Sequence, residues 1–229
     1  MEFKSIAIDG PSGAGKSTLA KLLAERLGMI YVDTGALYRS IGIFALRRNV
    51  GSKDEEGVRA LLPEITLEMK YDELDRQRMI LRGEDVTDEL RAPEVSIYAS
   101  DVSAQPAVRE FLLQMQRDMA TRYNVIMDGR DIGTVVMPSA GVKIYLTAEP
   151  EIRARRRFDE LRAAGREVTF EEVLRDINYR DANDSSRKNA PLKVAEGAIV
   201  VDTTAENLEQ SFDTILDIIN ERLSNHAAE

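Results

Sequence analysis

A chain of 229 residues, 43% hydrophobic and 31% charged, is long enough for one large domain or two small ones with a substantial core. Its net charge of −9 argues against a nucleic-acid binder, and no apolar run approaches the roughly 18 residues of a membrane span. Zero cysteines exclude disulfides, thiolate catalysis and cysteine-ligated zinc, and the single histidine, His226, sits in a polar tail where histidine chemistry is not expected. Met1-Glu-Phe-Lys leads into the first apolar run without the pattern of a signal peptide, so a cytoplasmic protein is expected.

Ser5-Ile-Ala-Ile-Asp9 reads as a short buried strand, and Leu19–Leu27 is apolar at helical spacing and stopped by Gly28. Between them stand Gly10, Pro11, Ser12, Gly13, Ala14, Gly15, Lys16, Ser17 and Thr18. Strand, glycine-rich turn ending in Lys-Ser, and helix are the context of a phosphate-binding loop. Glycines let several backbone N–H groups point into one concavity, and the helix adds its positive dipole end. Lys16 can reach the β- and γ-phosphates, and the Ser17 hydroxyl is placed to ligate Mg²⁺. A turn that merely joined a strand to a helix would have no use for Lys-Ser. The expectation is a nucleoside triphosphate site.

Met29–Val32 reads as a second strand, and a helix follows from Asp33 to about Arg48. Thr34 could be only its N-cap and Arg39 only a solvated charge, but both follow a strand at the edge where ligands of open α/β sheets collect. From Gly51 to Leu90 the chain has 12 acidic and 6 basic residues. Thr66–Tyr71 and Met79–Leu81 read as antiparallel strands joined by the polar stretch Asp72–Arg78, in an inserted lobe whose acidity is a solvated face. Pro93 and Pro106 start two helices, the second with the apolar stripe Val108, Phe111, Leu112, Met115 and Met119. Val125–Asp128, Gly141–Leu146 and Ala198–Asp202 complete a set of five core strands, and Asn207–Leu223 is a closing amphipathic helix. Strands alternating with helices imply an α/β fold with a mostly parallel, doubly wound sheet.

Arg153, Arg155, Arg156, Arg157, Arg162 and Arg166 fall within fourteen residues, with Arg180 and Arg187 after them. Arg153 and Arg157 share one helix face, with Arg156 nearby. A helix laced with salt bridges to Glu151, Asp159 and Glu160 is one reading; an arginine-rich flap over a triphosphate fits better, because phosphoryl transfer needs cations around its equatorial oxygens. Asp128 ends a core strand, where a carboxylate beside Ser17 would suit Mg²⁺. No histidine and no obvious buried base stands ready to take a proton from an alcohol acceptor. A monophosphate acceptor needs no base, being largely dianionic at neutral pH, but it needs arginine to hold two anions together.

Gly10–Thr18, Asp33-Thr-Gly-Ala-Leu-Tyr-Arg39, Ser100 with Arg109, Asp128-Gly-Arg-Asp-Ile-Gly-Thr134 and Arg180-Asp-x-x-Asp-x-x-Arg187 together resemble the bacterial cytidylate kinases across nearly the whole chain. The Asp-Gly-Arg-Asp and Arg-Asp-x-x-Asp-x-x-Arg patterns are the specific ones. The resemblance implies transfer of the ATP γ-phosphoryl group to CMP or dCMP by a P-loop nucleoside monophosphate kinase fold with a five-stranded parallel sheet. It implies one kinase domain with a core at about 1–36, 107–150 and 190–229, a monophosphate-binding lobe at about 37–106 and a lid at about 151–189. Thr34, Arg39, Arg130 and Arg187 would hold the acceptor phosphate, Arg180 and Asp184 would contact the ribose side, and Ser100, Arg109 and Asp131 would read the base. Lys16, Arg130, Arg157 and Arg187 are the expected catalytic cations, and Ser17 and Asp128 the metal ligands. A monomer with no nucleic-acid or membrane partner is expected. Two rivals are disfavoured: adenylate-type kinases carry Phe-Pro-Arg after the strand-end Asp-Gly, where this chain has Arg130-Asp131, and guanine-binding switches carry Asn-Lys-x-Asp, which does not occur here.

Overall fold

The computed structural model describes residues 4–74 and 76–226; Met1–Phe3, Asp75 within the expected Asp72–Arg78 connection, residues 227–229 and the side chains of Asn225 and His226 lie outside the described residues. The chain divides into two compact units, Met1–Tyr31 with Met119–Glu229, and Val32–Asp118.

The first unit is built on β1 (Ser5–Asp9), α1 (Lys16–Leu27) and the start of β2 (Ile30–Asp33). The second unit takes the chain from Val32 through α2 (Thr34–Arg47), α3 (Glu55–Leu61), β3 (Leu67–Tyr71), β4 (Gln77–Leu81), β5 (Glu84–Asp85), α4 (Pro93–Val102) and most of α5 (Pro106–Arg122). The first unit resumes with β6 (Val125–Gly129), β7 (Val142–Thr147), α6 (Pro150–Ala163), α7 (Phe170–Ser186), β8 (Ile199–Asp202) and α8 (Leu208–His226).

The main sheet has the order β2-β6-β1-β7-β8. Strand β1 lies between β6 and β7, parallel to both, in a register that sets Asp9 opposite Gly129 and Tyr145. Ile6, Ala7 and Ile8 are fully buried, because a central parallel strand is covered on both faces and needs a continuous apolar run rather than alternation. Leu19, Ala20 and Leu23 of α1, Ile126 of β6, Ile144 of β7 and Ile215 and Ile219 of α8 share its core. Helices α6 and α7 have a small core of their own: Ala154, Leu161, Val173 and Ile177, with Phe158 and Phe170 edge-to-face at 6.3 Å between ring centroids. A capping box between Thr169 and Glu172 starts α7.

In the second unit α2 packs on α4. A Cβ on Gly42 would stand 3.0 Å from Tyr98 Cβ, so glycine allows the close crossing. Strands β3, β4 and β5 form a separate antiparallel sheet, with Met69 opposite Met79. The acidic face is laced with ion pairs: Arg47 holds Glu84 and Glu89, Arg48 holds Glu64, and Arg78 holds Asp85.

Several details differ from the sequence reading. The N-cap of α2 is Asp33, whose carboxylate accepts the Ala36 N–H at 3.0 Å, so Thr34 is the first helical residue and not the cap. Helix α3, capped by Asp54, stands in the part of the lobe before Thr66, where the sequence reading named no element. On α5, Val108 and Leu112 are buried but Phe111 is exposed, so the stripe faces the core for part of its width only. A single π-helical turn at Ile132–Val136 follows Asp131, and α7 is a second long helix after the arginine-rich one. Among the described residues no helix is long and apolar enough to cross a membrane.

Candidate active site

The loop from Gly10 to Gly15 leaves the end of β1 and opens α1. A Cβ on Gly10 would lie 1.9 Å from the Leu146 carbonyl oxygen of β7, so any other residue would push the loop off the sheet edge. Gly15 has φ 89° at the helix N-cap, a conformation glycine adopts without strain. Lys16 and Ser17 thus begin α1 at the positive end of the helix, while Thr18 is exposed. Lys16 is 5% exposed, and its ammonium donates to the Pro11 carbonyl at 2.7 Å. Burial, and then the charge of Arg130, hold it well below the usual lysine value.

Asp128, at the end of β6, is 4% exposed; it accepts from the Ser17 hydroxyl and from the Tyr31 hydroxyl, both at 2.8 Å. The two expected metal ligands are therefore in direct contact. A hydroxyl and one carboxylate suit Mg²⁺, which retains several waters and takes few protein ligands.

Beyond Asp128, Asp184 of α7 gathers the expected arginines. Its carboxylate, 2% exposed, accepts from Arg130 Nε at 2.7 Å and from Arg187. Burial alone would raise the Asp184 carboxyl, but the charges of Arg130, Arg187 and Arg180 outweigh it and hold the group below its ordinary value. Burial works against the Arg130 guanidinium, and Asp184 overcomes it, leaving Arg130 raised. Lys16, Ser17, Asp128, Arg130, Arg180, Asp184 and Arg187 are thus assembled within the first unit. Asp131 is 4% exposed beside them, its carbonyl accepting the N–H groups of Val135 and Val136 in the π-helical turn.

The expected flap arginines divide. Arg153 is buried and donates to the Ala148 and Ser12 carbonyls and to Asp181. Arg156 donates to the Thr203 hydroxyl and carbonyl and to the Glu206 carbonyl. Arg155 lies over the Phe170 ring at 4.6 Å, and Arg157 pairs with Glu160 at 2.9 Å. These four side chains have protein partners, and the pair between Arg157 and Glu160 is one that the salt-bridged reading of this helix expected. Arg153 and Arg157 make different contacts, despite their common helix face.

The second unit carries the other expected substrate residues. Thr34 is 2% exposed at the start of α2. Arg39, one turn on, pairs with Asp33 at 2.7 Å and keeps a buried Nε with no acceptor. Ser100 is buried on α4, and Arg109 of α5 donates to the Ser103 carbonyl at 3.2 Å and lies 5.6 Å from the Tyr38 ring centroid.

Sequence reading missed Asp9. Its carboxylate, 3% exposed, accepts the N–H groups of Ile132 at 2.8 Å and Gly133 at 2.7 Å, pinning the turn that follows Arg130 and Asp131. An acid closing an apolar strand was the available signal, since a buried carboxylate demands partners. Burial pushes the Asp9 carboxyl from 3.8 up to about 6, against its two backbone hydrogen bonds. The folded chain therefore binds this proton more tightly than the unfolded chain, and the stability Asp9 contributes falls as pH rises from about 4 through about 6. Relative to Asp9→Asn, the native protein should be more favoured at pH 5 than at pH 7.5. Thermal melts of both proteins at the two pH values check this; an equal difference at both would mean Asp9 does not titrate in that window.

The profile of the cytidylate kinase family matches residues 6–221. The chain is 48% identical over 225 residues to the cytidylate kinase of Caldicellulosiruptor bescii, an alignment covering 98% of this chain and 99% of that protein. It is 50% identical over 215 residues to the cytidylate kinase of Caldanaerobacter subterraneus subsp. tengcongensis, covering 93% of each. Among solved structures, an uncharacterized protein from Eubacterium ventriosum aligns with a TM-score of 0.51 at 12% identity, covering 95% of this chain and 98% of that one, a likeness of fold alone. With its phosphate loop, strand-end carboxylate and arginine cluster in place, the chain belongs to the cytidylate kinase family.

Proposed function

We propose that this protein transfers the γ-phosphoryl group of ATP to CMP or dCMP, giving ADP and CDP or dCDP, through the residues assigned below. The observation that carries the reading is the assembly of Lys16, Arg130, Arg180 and Arg187 with Asp184 near the phosphate loop. The Gly10–Thr18 loop holds the triphosphate of ATP. Lys16 stabilises the charge on the transferring phosphoryl group, and Arg130, Arg187 and Arg157 bring further positive charge to it. The acceptor phosphate is already dianionic, so its oxygen attacks the γ-phosphorus in line without a protein base, and the bond to the ADP oxygen breaks. Ser17 and Asp128 would hold Mg²⁺, which when bound would supply positive charge to the phosphates.

Thr34, Arg39, Arg130 and Arg187 bind the acceptor phosphate, Arg180 and Asp184 the ribose side. Ser100, Arg109 and Asp131 read the base: cytosine offers an amino donor at N4 and acceptors at N3 and O2. Residues 37–106 serve as the monophosphate-binding lobe and 151–189 as the lid. The protein works in the cytoplasm as a monomer, with no nucleic-acid or membrane partner.

Asp131→Asn tests the base assignment. The carboxylate accepts from the cytosine amino group, whereas uracil would present another acceptor, and an unpaired buried polar group costs roughly 1–3 kcal/mol. An amide can present either N–H or C=O, so the variant should lose kcat/KM for CMP and narrow its gap to UMP. One common factor for both acceptors would mean that Asp131 positions its neighbours and does not read the base.

A further inference from the structure

Asp181 belongs to the Arg180-Asp-x-x-Asp-x-x-Arg187 pattern, yet the reaction as described gives it no part. Its two carboxylate oxygens are both engaged. Oδ1 accepts the Ser12 backbone N–H at 3.1 Å, and Oδ2 accepts from Arg153 at 2.6 Å. The same Arg153 nitrogen donates to the Ser12 carbonyl at 2.8 Å, and Arg153 Nε donates to the Ala148 carbonyl at 2.7 Å. One peptide residue of the phosphate loop is therefore held at both its polar groups, from α7 at the N–H and from α6 at the carbonyl. The side chains making these contacts are 5% exposed for Arg153 and 21% for Asp181, so the pair is largely withdrawn from solvent. The contact is close in the literal sense: a Cβ on Gly13 would meet the Arg153 carbonyl oxygen at 3.0 Å and Ile177 of α7 at 3.2 Å.

We infer that Arg153 and Asp181 are positioning residues for ATP, fixing the Ser12 peptide and through it the N–H groups of Gly13–Lys16. Backbone donors bind a phosphate well only when their directions are set in advance, and a glycine-rich loop cannot set them from within. Side chains that grip both the N–H and the C=O of Ser12 fix the plane of that residue's two peptide groups. Because the gripping residues sit on α6 and α7, the orientation of the loop is tied to the packing of that helical pair. The Ser12 peptide belongs to the triphosphate loop and to none of the acceptor contacts, so the effect should fall more heavily on ATP than on CMP.

This inference rests on the reading of Gly10–Thr18 as the ATP loop, and one binding experiment separates the two. Fluorescent N-methylanthraniloyl ATP is titrated into the native protein, Asp181→Asn, Asp181→Ala and Arg153→Lys, with displacement by unlabelled ATP, and KM for ATP and for CMP is measured on each. Asp181→Ala should weaken ATP binding by about tenfold, the scale of a lost hydrogen bond to a charged group. Asp181→Asn keeps one acceptor oxygen and should fall between Ala and the native protein, with KM for ATP raised more than KM for CMP in both, since the Ser12 peptide belongs to the triphosphate loop. Arg153→Lys keeps the charge but cannot span three acceptors, and should also raise KM for ATP if the alanine variant does not fold. Equal ATP affinity in the folded variants, or a common loss for ATP and CMP that follows the loss of Tm, would overturn the positioning role alone. Failure of the native protein to bind the probe displaceably would overturn the loop reading and this inference with it.

Discussion

Lys16→Ala is expected to lower kcat by about 10²–10³, the usual consequence of deleting one group that stabilises transition-state charge in a water-excluded site. The fold should survive the change. Lys16 is 5% exposed, and its ammonium donates to the Pro11 carbonyl of its own loop, so removal leaves that carbonyl to be satisfied. Burial and the charges of Arg130 and Arg180 disfavour the ammonium, with Asp128 and Asp184 opposing them. A group held under such stress adds little to stability and is ready to bind an anion, which is the arrangement expected of a residue kept for chemistry. Turnover followed by ADP release, with a thermal melt of the same sample, decides the matter. Near-native turnover by a folded variant would remove Lys16 from the reaction.

Asp184→Ala should lower stability by about 3–5 kcal/mol, because it removes the carboxylate that hydrogen-bonds two buried arginines and leaves their charges poorly compensated. In a chain of 229 residues that corresponds to a fall in Tm on the order of 10 °C. Arg187 and Arg130 hydrogen-bond to this carboxylate, and Arg180 is close enough to depress its titration. The sign with pH follows from that depression. Asp184 loses its proton more readily in the folded chain, so its contribution is full above the unfolded value of about 3.8 and is lost only as pH falls through the lower folded value. The Tm difference between native and variant protein should therefore stay constant from pH 5 to pH 8 and shrink in stronger acid. Inorganic phosphate or sulfate should restore part of the variant's Tm, since an anion can take the place of the carboxylate among the arginines. A variant as stable as the native protein would show that the cluster is solvated enough to need no counter-ion.

The phosphate site was legible because the chain that forms it is contiguous. Gly10, Gly13 and Gly15 supply the turn, Lys16 and Ser17 the chemistry, and α1 the dipole, all within local reach of one another. The same holds for the five core strands, whose apolar runs are bounded by turn residues and shift by no more than a residue or so between expectation and structure. Local reading left the cap of α2 open between Asp33 and Thr34, since either residue can cap a helix and only the backbone geometry chooses Asp33. The arginine-rich helix shows the other kind of failure. Arg153 and Arg157 stand one turn apart with identical side chains, yet one is buried against Ser12 with Asp181 for its charge and the other pairs with Glu160 nearer the surface. Helical spacing gives a common face; what that face meets is decided by segments far away in sequence. Asp9 and the Ile132 amide are separated by 123 positions, and nothing in either neighbourhood announces the pairing. A buried charge must find its partner wherever the folded chain brings one, so the sequence by itself determined the phosphate-loop pattern and the core strands, and the tertiary structure alone decided which of the charges gather around Asp184 and which tie distant segments together.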